Sequence, residues 1–174
     1  AAAKRNKLAK VSALQAWRQA LSSGDADTQL GALSAMCQAT SQADIRAKDE
    51  LVCEIAAVLE TPASKRTEVA ERALELLLDM AFSRPHAFER LEHPAAPIWL
   101  ILRQMSSTLG EGSVARLALQ CTTRLLRRES LAGFIRDALL RGSFDEMLAA
   151  IRSARDEQRW PLLPTALGRL VGDY

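Results

Sequence analysis

Positions 68–81 (E-V-A-E-R-A-L-E-L-L-L-D-M-A) leave this chain few ways to fold. Val69, Ala73, Leu77 and Met80 recur at spacings of three and four, and Ala70, Leu74, Leu76 and Leu78 widen the same face. Glu68, Glu71, Arg72, Glu75 and Asp79 gather on one narrow polar strip. The period is helical. A helix apolar around most of its circumference must be gripped from several sides rather than laid on one surface. The Ala73-Leu74 pair then returns as Ala32-Leu33, Ala118-Leu119 and Ala166-Leu167, at separations of 41, 45 and 48 residues. Periods in that range mark stacked helical repeats. The small Ala lets its helix approach a neighbour closely, while the Leu fills the layer between units. Leu74→Asp or Leu119→Asp is therefore expected to unfold the chain, and Glu75→Ala is not.

Composition agrees. The apolar share, 48%, is mostly Ala and Leu with few aromatic or β-branched residues, so helix formers dominate and the fold class expected is all-α. A net charge of +2 gives no reason to invoke nucleic acid. Cys37, Cys53 and Cys121 are odd in number and far apart within apolar helical runs. Reduced, buried thiols in a cytoplasmic protein explain them better than disulfides. No apolar run approaches the roughly 20 residues of a membrane span. The start, Ala-Ala-Ala-Lys-Arg-Asn-Lys, has neither Met nor the apolar core of a signal peptide, and reads as cut from a longer polypeptide.

In chain order, helices are expected over 4–22, from Asp25 to about Ala39, over 41–48 as a short polar helix with Ile45 as its one large apolar residue, and over 49–59. Gly24 suits a left-handed turn and Asp25 an N-cap. Pro62 breaks the fourth helix, and the apolar helix follows over 65–82. A short helix over 86–92 is punctuated by Pro94 and Pro97, after which 98–109 sits deep. Gly110-Glu111-Gly112-Ser113 makes a turn with a cap before a long helix over 114–128. The last helices are expected over 130–141, over 144–153 with Ser143 as cap, and from Pro161 to about Val171.

The same grammar recurs: a short helix, a helix with four or five large apolar residues, a turn, then a long Ala-Leu helix. Here the chain resembles the armadillo/HEAT repeat superfamily. Positions 14–37 look like a helix pair of that kind with Gly24-Asp25 in its turn. Positions 85–128 look like a three-helix armadillo unit, and 134–172 like another with Gly142-Ser143-Phe144 at its first junction. The resemblance implies a right-handed α-solenoid of about four repeats (4–40, 41–83, 84–129 and 130–174) in a single domain. It also implies a scaffold or adaptor that binds a partner peptide or helix along a concave surface lined by the last helix of each unit. Asn6 is the only Asn, so the asparagine ladder of importin-type grooves is absent.

Sliding the repeat by 45 residues lays Glu71, Glu75 and Asp79 over Arg116, Gln120 and Arg124, with Arg127 and Arg128 extending the basic rung. These are the candidate partner-binding residues: Glu71, Glu75, Asp79, Arg116, Gln120, Arg124 and Arg128. The partner expected is another protein, acidic where it meets arginine, which holds carboxylates bidentately. Two further functions follow from the resemblance: a tubulin- or actin-regulatory module, whose binding edge would be the inter-helix turns and Trp17, and an armadillo-type Hsp70 cofactor. Trp17, mid-helix among apolar neighbours, reads more simply as a core residue. Apolar end faces around 8–11 and 167–171 would allow a homodimer. No phosphate-binding glycine loop and no Cys–His nucleophile pattern is present, so neither enzyme activity nor a cofactor is expected. His86 and His93 lack a further ligand in register for a metal and are read as structural.

Overall fold

The computed structural model describes residues 13–133. These residues are all-helical, with no strand among them. The helices are α1 (13–21), α2 (Ala26–Gln38), α3 (Gln42–Glu50), α4 (Val52–Ala57), α5 (Thr67–Ser83), α6 (His86–Glu89), α7 (Ala95–Arg103), α8 (Ser113–Leu125) and α9, described over 129–133. Short 3-10 turns follow α4 and α7 (Val58–Glu60, Pro62–Lys65, Gln104–Ser106, Leu109–Gly112). The expected helices over 144–153 and 161–171, the Ser143 cap, the Ala166-Leu167 pair and both apolar end faces lie outside the described residues.

Local chemistry sets most boundaries. Gly24 takes φ +74, and the Asp25 carboxylate accepts from the Thr28 amide at 2.8 Å, closing the start of α2 as expected. Ser41 caps α3 by accepting from the Asp44 amide at 3.2 Å. The helix expected over 49–59 is divided differently. α3 runs on to Glu50, the chain turns at Leu51 (φ −106, ψ 12), and α4 tightens into a 3-10 turn before Pro62. α7 starts earlier than expected, at Ala95, because Pro97 falls in its first turn, where no amide is needed for the helix ladder.

Helices at equivalent places in the sequence grammar pack on one another. α2 lies against α5 and α5 against α8; α4 lies against α7, and the short α3 against α6. The polar contacts have the same step. Beyond bonds local to one helix pair, which reach separations of 17, the described side-chain hydrogen bonds span 32 to 45 positions. Examples are Arg18–Glu54, Arg66–Asp27, Arg84–Asp49, Arg103–Glu60 and Arg128–Glu89. α5 and α8 run parallel. Ser113 bonds Glu71 near their starts and Arg124 stacks on Phe82 near their ends, so the offset is 42 residues at both places.

The core follows from that stacking. Leu33, Met36, Leu51, Ile55, Leu74, Leu77, Met80 and Phe88 are fully buried, and all belong to one apolar cluster continued by Ile98, Ile101, Val114 and Leu125. Each such side chain contributes about 1.5–3 kcal/mol. The Ala of every described doublet is buried. The Leu is not uniformly so: Leu33 and Leu74 are sealed, whereas Leu119 is half-buried and lies outside the cluster. The expectation that Leu119→Asp unfolds the chain is therefore corrected, since a carboxylate there can reach water.

Two polar groups are buried inside this packing. The Gln29 amide donates to the Leu21 carbonyl at 2.8 Å and accepts from the Thr61 hydroxyl at 3.3 Å, joining the end of α1 to the end of α4's turn. Lys48 reaches back from α3 to the end of α2, donating to the carbonyls of Met36 and Ala39 at 3.0 and 2.8 Å.

The α7–α8 junction is a left-handed bend. Gly110, Glu111 and Gly112 have φ of 58, 51 and 85. Ser113 does not cap α8; its hydroxyl is donated to Glu71 instead, so a local bond is replaced by one between helices. A Cβ on Gly110 would collide with the Ser113 hydroxyl and come within 2.6 Å of Thr67 Cγ2. Gly110→Ala is expected to cost about 2 kcal/mol, from left-handed strain and the need for the Ser113 and Thr67 side chains to shift. A thermal melt should fall by roughly 4–8 °C. An unchanged melt would mean the bend is not held against α5.

Candidate functional site

The α5–α8 face begins with the two amphipathic helices. The polar strip of α5 reaches solvent as expected: Glu75 and Asp79 are exposed, and Glu71 and Arg72 half-buried. On α8, Arg116 is exposed, Gln120 and Arg124 are half-buried, and Arg127 and Arg128 are exposed just beyond its end. Arg116, Gln120, Arg124 and Arg127 share one stripe at spacings of four, four and three.

The observed offset of 42 differs from the slide of 45 by three residues, almost a full turn. Acids and arginines therefore do not meet rung to rung. Glu71 accepts from Ser113, and Glu75 pairs within its own helix with Arg72 at 2.9 Å. Asp79 lies 4.0 Å from Arg84, whose Nε bonds Asp49 at 2.8 Å in a largely buried pair. Arg128 bonds Glu89 at 3.1 Å. The Ser130 hydroxyl and the Arg128 guanidinium together hold the Glu89 carboxyl below the usual carboxylate range. Exposed pairs such as Arg72–Glu75 contribute only about 0–1 kcal/mol.

Arg124 takes a partner of another kind. Its guanidinium carbon stands 4.0 Å from the centre of the Phe82 ring. Phe82 is 66% exposed, the single large apolar side chain so exposed among the described residues. Sequence reasoning placed Phe82 at the end of a core helix and missed it as a surface group. The signal was present, because Phe82 lies three residues after Asp79 and seven after Glu75, on the polar strip.

No family model matches the sequence, and no curated protein or solved structure matches it either.

The remaining candidates are placed as follows. Trp17 is half-buried and packs against the core rather than standing free on a turn ridge. Cys121 is buried, and burial pushes its thiol up to about 12. Cys37 and Cys53 are exposed, which corrects the expectation that all three thiols are buried; partial desolvation still raises both. All three are free thiols. His86 Nε2 lies 3.9 Å from an Asp49 carboxylate oxygen, and His93 is exposed. Among the described residues no three His, Cys, Asp or Glu side chains converge as a metal site. No described helix is long and apolar enough to cross a membrane.

Proposed function

We propose that the chain is an armadillo/HEAT-type right-handed α-solenoid of about four repeats, and that it works as a protein-interaction scaffold. The partner peptide or helix lies along the face shared by α2, α5 and α8. One observation carries this reading: like helices pack on like helices, with polar cross-links at separations of 32 to 45 residues. Such stacking supports a reading in which the long helices lie side by side and their outer strips form one continuous surface, the surface on which repeat arrays ordinarily bind. In this reading the chain is not catalytic and serves in a reducing cytoplasmic compartment.

Reversing both Arg116 and Arg124 to Glu tests it. Neither side chain is in the core, so the melting temperature should stay within about 3 °C of the parent. Capture of partner from the source cells should fall at least about tenfold. Partner capture that persists unchanged would remove the reading.

A further inference from the structure

We infer that Phe82 and Arg124 form a composite anchor for an acidic peptide segment bearing an aromatic or aliphatic side chain. The inference rests on the reading of the α2–α5–α8 face as a binding surface and names what that surface takes. It starts from an imbalance. Residues 113–128 carry four arginines (Arg116, Arg124, Arg127, Arg128) and no Asp or Glu. Of these, only Arg128 has a carboxylate partner among the described residues. The four acids of neighbouring α5 have partners elsewhere: Glu71 in Ser113, Glu75 in Arg72, Glu68 in Arg66 at 3.1 Å, and Asp79 in Arg84 at 4.0 Å. Among the described residues, Arg116, Arg124 and Arg127 therefore have no carboxylate paired to them.

The ring adds the second half. Phe82 stands in water at 66% exposure where every other large apolar side chain described is at least partly covered. Arg124 at 4.0 Å shields one side of it. Stacking uses the flat face of a guanidinium and leaves its in-plane N–H donors free, so one Arg can lie on a ring and hold a carboxylate at the same time. An incoming apolar side chain covers the open side of Phe82 while an adjacent Asp or Glu takes the Arg124 fork. Arg116 stands two turns up the same stripe, about 12 Å away along the axis, and takes a second carboxylate of the same segment. A stacked Arg and Phe could also hold a nucleobase. A net charge of only +2 gives a continuous phosphate backbone little to hold, so a peptide bringing one or two carboxylates is the occupant favoured.

The experiment pans a random peptide display library on the whole 174-residue chain. The best-enriched peptide is then measured by fluorescence anisotropy against the parent and against Phe82→Ala, Arg124→Gln and Arg116→Glu. Circular dichroism checks that each variant is folded, and an oligouridylate serves as competitor. Expected are peptides rich in Asp or Glu with at least one Leu, Phe or Trp. Their affinity should fall about tenfold in Phe82→Ala and in Arg124→Gln, with helicity unchanged because Phe82 buries little. Enrichment of basic or apolar-free peptides overturns the inference, as does an oligouridylate that binds the parent and loses that binding in Phe82→Ala. Peptides weakened by Arg116→Glu yet indifferent to Phe82→Ala overturn the anchor and leave the binding surface standing. A library that yields no binder at all overturns both.

Discussion

Replacing Leu74 by Asp is expected to abolish the folded state. Leu74 is fully enclosed, on the central helix that packs against α2 on one side and α8 on the other. Truncating a buried Leu costs about 2–5 kcal/mol through lost burial and the void it leaves. The carboxyl adds the cost of a polar group with no partner, whether it ionises or takes up a proton to stay neutral. Together these approach the whole stability of an ordinary domain, about 5–15 kcal/mol. The same substitution at Leu119 should cost about 1–2 kcal/mol, because that side chain is half-buried and its carboxylate keeps its hydration. Far-UV circular dichroism with a thermal melt separates the two. Leu74→Asp should lose the cooperative transition and Leu119→Asp should keep it. A Leu74→Asp variant that melts like the parent would show that α5 is not the centre of the core.

Lys48→Met is the second large effect. α2 ends without a basic residue in its last turn, so the negative end of its dipole is not met from within the helix. Lys48, arriving from α3, supplies the charge by donating to the Met36 and Ala39 carbonyls. Met keeps most of the packing of the stem and deletes the ammonium, leaving two carbonyls without it in a site where Lys48 is only 4% exposed. Charged hydrogen bonds of this kind contribute about 1.5–3 kcal/mol each, with part recovered by water entering the gap. A loss of about 2–4 kcal/mol, or roughly 5–15 °C in melting temperature, is expected. Amide hydrogen exchange should quicken most in the last turn of α2. A uniform change, or none, would mean that the ammonium is not what holds that helix end.

The sequence alone determined the helical class, the apolar and polar faces of α5 and α8, the Gly24-Asp25 turn with its cap, and the burial of each described Ala in the recurring pair. All of these depend on contacts within a few residues, where a period of three and four already says which side chains share a face. Tertiary structure decided the rest. The step between α5 and α8 is 42 and not 45, and three residues on a helix turn a face by about 60° and shift it along the axis by about 4.5 Å. That difference unpairs the expected acidic and basic rungs and brings Arg124 onto Phe82. The step is tied to the three left-handed residues at 110–112 and to the contact of Gly110 with α5, which no periodicity reports. Lys48, which reads as a solvated residue on a polar helix, is likewise buried only because the end of α2 lies where its ammonium can reach.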